Sequence, residues 1–174
     1  MSVSTAAHAE VSIPFADIPP AAVAYYDVTG TTPAEIRASI DAARPRDPND
    51  RKGVDGLTSW EFNVVWKVDE KGRCVTTLAD LNFHATVRVP RLVDGDAPPE
   101  MRARFERYLQ SLLEHEDGHV RYAWDHRADV AAAINKAGCT GAARAAQRAT
   151  DAIAAHDIAY DKATDHGATT IVPF

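Results

Sequence analysis

The feature that most constrains this chain is a proline-free stretch, residues 100–137, in which Phe105, Leu109, Leu112, Val120, Ala123, Val130 and Ile134 keep largely helical spacing. Such spacing gives a helix one apolar stripe that must be covered. Gly138 stands where a C-terminal cap is expected, so the spacing predicts one long helix over 100–137. An alanine-rich segment, residues 142–164, reads as a second helix packed closely against the first.

The rest of the chain has to supply a covering surface. Trp60, Phe62, Val64, Trp66 and Val68 alternate with mostly polar neighbours, and Leu81, Phe83, Ala85, Val87 and Val89 repeat the pattern with Asn82, His84, Thr86 and Arg88 facing away. Period two marks strands with one buried face, and Asp69-Glu70-Lys71-Gly72 offers the turn of an antiparallel hairpin between them. A shift of apolar phase at 78–81 predicts a bulge. Upstream, residues 1–20 carry Pro14, Pro19 and Pro20 and read as an extended N-terminal arm before a strand at 22–28. Thr32, Pro33 and Glu35 form a capping box that opens a helix ending near Ala43, and 44–56 is a polar, proline-broken loop. The expected fold is α+β: after the arm, a single domain at 21–174 with a small antiparallel sheet packed on the long helix and a second C-terminal helix alongside, a zincin-like layout.

Composition excludes some functions. With 25 acidic against 19 basic residues and a net charge of -6, no basic cluster would track a phosphate backbone, so nucleic acid is not an expected partner. No apolar run approaches the roughly 18 to 20 residues of a membrane span. Ala7-x-Ala9 looks like the small-residue end of an export signal. Cys74 and Cys139 are compatible either with two thiols in a reducing compartment or with one disulfide in an oxidising one.

The chemistry concentrates in His115-Glu116-Asp117-Gly118-His119. Histidines four apart on a helix project from one face about 6 Å apart and can share an ion. Zinc accepts such nitrogens, and Glu116 then stands beside the ion as a general base rather than a ligand. Gly118 inside a helix costs about 1 kcal/mol relative to alanine, which implies a packing or access reason. A catalytic zinc needs a third protein ligand and an open position. His126 lies seven residues beyond His119, a helical rise of about 10 Å, and joins only if the helix breaks. Asp125 holds the third-ligand position of a longer motif whose glycine is here Tyr122, and reads as a surface or outer residue. The third ligand is therefore expected from the C-terminal segment with His156, Asp157, Tyr160, Asp161, Asp165 and His166. There His156 reads as an exposed or core-edge residue and His166, beyond the helix end, as the ligand. Trp60, Trp66 and Trp124 read as packing aromatics, His84 as exposed, and His8 as part of the arm.

The chain resembles a bacterial family of predicted secreted zinc-dependent proteases first described as a domain of unknown function. The resemblance runs through Tyr26-Asp27-Val28-Thr29-Gly30-Thr31-Thr32, Trp60, Trp66, Cys74, Val87-Arg88-Val89-Pro90, Leu113 to His119, Cys139 and the tail Tyr160-Asp161-Lys162-Ala163-Thr164-Asp165-His166-Gly167. It implies export to the periplasm or beyond, a Cys74–Cys139 disulfide, and peptidase-like chemistry. It implies His166 as third ligand with His115 and His119, and Asp161 as runner-up, while Tyr160 anchors packing or hydrogen-bonds an oxyanion. The resulting expectation is a Zn2+ peptidase with Glu116 as base, acting on a peptide or protein substrate that pairs with the strand ending at Val89-Pro90. The rival expectation is a non-catalytic zinc-binding or protein-interaction module whose fourth protein ligand closes the site.

Overall fold

A computed structural model describes residues 11–93 and 95–174; the Ala7-x-Ala9 segment and His8 lie outside the described residues. Three strands, β1 (Ala21–Val28), β2 (Leu57–Val64) and β5 (Leu81–Leu92), form a sheet in the order β1-β5-β2. The sheet is mixed rather than antiparallel: β2 pairs antiparallel with β5, but β1 runs parallel to it, Ala21 opposite Ala85 and Val28 opposite Leu92. Parallel pairing needs a crossover. Here the helix α1 (Pro33–Ala43) begins it, opened by the Thr32–Glu35 capping box and buried through Ile36 and Ile40.

Three further expectations change. Asp69 to Gly72 does turn the chain, yet it closes a separate two-residue ribbon, β3 (Lys67–Val68) with β4 (Cys74–Val75), and not the β2–β5 pair. A 3-10 turn at Leu78–Asp80 absorbs the phase shift read as a bulge. The 100–137 helix is two, α2 (Pro99–Asp125) and α3 (Arg127–Ala137), broken at His126. No proline or glycine causes the break. The His126 backbone N–H still reaches the Tyr122 carbonyl at 3.1 Å, but His126 Nδ1 bonds the same carbonyl at 2.9 Å, and the Arg127 guanidinium lies over the Trp124 ring and donates to its carbonyl, so side chains share the last acceptors of α2.

The alternating face of β5 (Leu81, Phe83, Ala85, Val87, Val89) packs on Leu109, Leu112, Leu113 and Val120 of α2. The proline-rich segment after residue 10 is not a free extended arm: it turns, and Phe15 and Ile18 are fully buried in this core. Helix α4 (Ala142–Thr164) packs against α3 and returns along α2. Two ties fix α3 to the ribbon: the Cys74–Cys139 disulfide, Cα atoms 4.8 Å apart, and the Asn135 amide, which accepts from the Thr76 N–H at 2.8 Å and donates to its carbonyl at 3.0 Å. No described helix is long and apolar enough to cross a membrane.

Candidate metal centre

The apolar stripe that seats α2 on the sheet also carries His115, Glu116 and His119 inward, at 4%, 3% and 7% exposure. Helix α4 passes in the opposite direction, so its own four-residue pair, Asp157 and Asp161, lies across from the two histidines. Asp161 Oδ1 is 3.4 Å from His115 Nε2 and 3.1 Å from His119 Nε2. Ligands about 2.0 to 2.1 Å from a tetrahedral ion stand roughly 3.3 Å apart, so these three donors are spaced as if for one ion. They line a cleft of about 390 Å³ with Gly56 to Trp60 on the facing side.

Glu116 reaches the same cleft. Its Oε2 accepts from Thr58 Oγ1 at 2.7 Å. Burial pushes its carboxyl pKa upward, against the opposing pull of His119 and the Thr58 hydroxyl. Gly56 is required there: a Cβ on it would sit 2.3 Å from Glu116 Oε1. The strand entry is held by its neighbour Asp55, which receives Arg37 at 2.6 and 2.8 Å and the Tyr108 hydroxyl at 2.8 Å, while its carbonyl accepts from Tyr26.

Asp157 orients His119. Its Oδ1 lies 3.2 Å from His119 Nδ1, and its Oδ2 accepts from Trp60 Nε1 at 2.6 Å. A carboxylate on one ring nitrogen directs the other toward a metal. With acceptors at both nitrogens, His119 is drawn to positive charge: burial lowers its pKa, but the bonds to Asp157 and Asp161 and the nearby Glu116 charge carry it up to about 10. Burial opposes the charge on Asp161, but its bonds to His115 and His119 hold that carboxyl well below the usual range. Two imidazoles and one carboxylate among further carboxylates are a donor set fitted to a divalent cation such as zinc.

Two glycines make room. A Cβ on Gly118 would meet three atoms of the Tyr160 ring and hydroxyl at 2.9 Å, which is the packing reason its position implied. Tyr160 stacks on His115, ring centroids 5.0 Å apart at 14°, with its hydroxyl end against Gly118 and outside the cleft lining. It packs against the His115 ring. Gly167, at φ +82, lies against His115 Cδ2 and Ile171, so a side chain is excluded both by conformation and by space.

His166, expected as third ligand, is placed differently. The chain leaves α4 through three left-handed residues, Asp165, His166 and Gly167, which swings the imidazole toward the 44–56 loop. Its Nε2 lies 3.1 Å from Asp50 and its Nδ1 3.9 Å from Asp161 Oδ2, while Asp161 faces the histidine pair. His126 stays away even though the helix breaks there, stacking on Tyr122, which also stacks on His156. Asp125 is exposed, as is His84. The strand at the cleft is β2, at the sheet edge; β5 is central, and its Val89-Pro90 end, which runs past the β2 pairing and pairs with β1 at Tyr25 and Tyr26, is buried and does not line the cleft. Sequence reasoning missed Thr58, Gly56 and the Trp60–Asp157 bond, for which only the four-residue spacing of Asp157 and Asp161 was a signal.

The fold and this cluster define an α+β protein with a candidate metal centre between two helices and an edge strand. Residues 23–167 match a family described as bacterial protein of unknown function (DUF922), and the chain belongs to that family. No curated protein and no solved structure matches the chain.

Proposed function

We propose that the chain is an exported zinc-dependent hydrolase that cleaves peptide bonds, with His115, His119 and Asp161 holding the ion. The observation that carries this reading is the Glu116 carboxylate, buried beside a three-donor set and open to the same cleft. Zinc bound there supplies Lewis acidity, lowering the pKa of water to about 7 and polarising a carbonyl. Glu116, its pKa raised by burial, accepts the proton of the attacking water and returns it to the departing amine. Thr58 holds one oxygen of Glu116 so that the other is left to exchange the proton. Asp157 and Trp60 keep His119 Nε2 turned to the site. The first half of β2 lines the cleft, and its outer edge offers main-chain bonds to an extended peptide. Three protein donors favour an open site over a closed structural one. The disulfide supports an oxidising compartment.

The test is Glu116→Gln. Wild-type protein loaded with zinc is expected to cleave denatured proteins or extended peptides, with loss on chelation. The variant is expected to keep its zinc and lose about 10² to 10⁴ in rate. Undiminished, chelator-sensitive cleavage by the variant excludes Glu116 as base.

A further inference from the structure

Beside the first centre lies a second group of donors that the hydrolytic reading does not use. Asp47, Asp50 and His166 each offer one ligand atom, all within 4.8 Å of one another. Asp47 is 4% exposed although it sits in a polar loop, and its Oδ1 accepts from a backbone donor, the Asn49 N–H at 2.6 Å. Among the described residues, His166 Nδ1 is buried with no hydrogen-bond partner. What it faces is informative: Asp47 Oδ2 at 3.7 Å and Asp161 Oδ2 at 3.9 Å, both acceptors and both beyond hydrogen-bond reach. A buried ring nitrogen directed at two carboxylate oxygens is short of positive charge. Cis ligands of an octahedral ion with bonds of about 2.1 Å are roughly 3.0 Å apart and trans ligands roughly 4.2 Å, and the 3.7 and 3.9 Å spacings fall between the two.

We propose that Asp47, Asp50 and His166 hold a second divalent cation next to the first, with the outer oxygen of Asp161 turned toward it. Asp161 thereby stands between two centres, Oδ1 toward His115 and His119 and Oδ2 toward His166. Asp47, Asp161 and His166 line the main cleft as well as an adjoining cavity of about 260 Å³, so the second ion is reached from solvent. One imidazole with carboxylates suits zinc or manganese. Lys52 competes for the site: its ammonium is 3.2 Å from Asp50 Oδ2, on a side chain 63% exposed that is able to swing away. The left-handed run Asp165-His166-Gly167 has a use here, because it is the turn that brings His166 over the 44–56 loop. The inference shares Asp161 with the hydrolytic centre but does not depend on catalysis.

Zinc and manganese stoichiometry on full-length chelated protein tests it, by equilibrium dialysis and elemental analysis. Wild type is expected to take up two equivalents. Asp47→Asn with His166→Ala is expected to take up one, and His119→Ala to lose the other. Asp50→Ala, at a partly exposed carboxylate whose loss removes one loop bond from the Lys52 N–H but no core contact, is expected to weaken the second equivalent about tenfold, while Lys52→Ala tightens it. Saturation of wild type at one equivalent, with uptake unchanged in Asp50→Ala, overturns the second site and leaves the first standing. Two equivalents retained by the Asp47/His166 double variant overturn it as well. Two equivalents retained by His119→Ala overturn instead the hydrolytic centre on which Proposed function rests.

Discussion

Helices α2 and α4, with the break residue His126, carry two groups of two histidines and a tyrosine, and the groups do opposite things. In one, His115 and His119 meet Asp161 edge-on through their nitrogens while Tyr160 packs behind His115. In the other, Tyr122 lies flat between His126 and His156, at centroid separations of 3.9 and 3.4 Å. The residue types match, but the first group has carboxylates opposite the ring nitrogens and a cleft in front of them, whereas the second spends its rings on stacking. Candidate chemistry thus follows from what stands across from a histidine, not from the number of histidines on a helix.

The comparison is most easily broken by metal affinity. His119→Ala is expected to weaken zinc binding by more than about 100-fold, beyond what loss of an outer partner produces, whereas His126→Ala and His156→Ala keep wild-type affinity. Competition against a chelator measures all three, and comparable losses would erase the distinction. Next in size is Asp157→Asn, expected to cost about 10 to 100-fold in zinc affinity, because the amide no longer fixes the His119 ring as the carboxylate does. Trp60→Phe should move in the same direction by less. Wild-type affinity in Asp157→Asn would mean that the carboxylate does not orient the ligand.

Gly118→Ala follows. At an exposed helix site this change gains about 1 kcal/mol, but here the methyl meets Tyr160 at 2.9 Å, and overpacking of this kind costs about 1 to 3 kcal/mol. Denaturant unfolding of the metal-free variant decides the sign. The smallest effect concerns pH. His119 has its folded pKa raised to about 10, so its contribution to stability is complete below the unfolded value of about 6.5 and is lost as pH rises through the folded one. Metal-free protein is expected to lose several degrees of Tm between pH 7 and 9, a slope absent in His119→Ala. A flat wild-type profile would contradict the paired geometry at His119.

Much of the architecture could be read along the chain. Strand β5 follows its alternation residue by residue, with Phe83, Ala85, Val87 and Val89 buried and Asn82, His84, Thr86 and Arg88 exposed. The α1 capping box is present as Thr32 and Glu35 require. The errors arose where a local signal had two outcomes. Helical periodicity at Tyr122 to Val130 continues across the break, because the His126 and Arg127 side chains bond the last carbonyls of α2 alongside the backbone and leave the apolar spacing intact. Strand alternation in 57–64 and 81–92 could not say that β1 would flank β5 in parallel.

The sequence by itself determined the paired histidines of α2 and the glutamate between them, because four-residue spacing on a helix forces a common face whatever surrounds it. It marked Gly118 as serving packing or access, and the structure shows it to be packing, against Tyr160. Which carboxylate faces the histidines was decided only by the tertiary structure. Asp161 and His166 are five residues apart, and their roles separate because three left-handed residues end α4 and turn His166 toward Asp47 and Asp50. The partners of Glu116 and His119, Thr58 and Asp157, come from segments 58 and 38 residues away. Contacts at that distance depend on how a strand edge and two helices settle against one core, and no local periodicity encodes them.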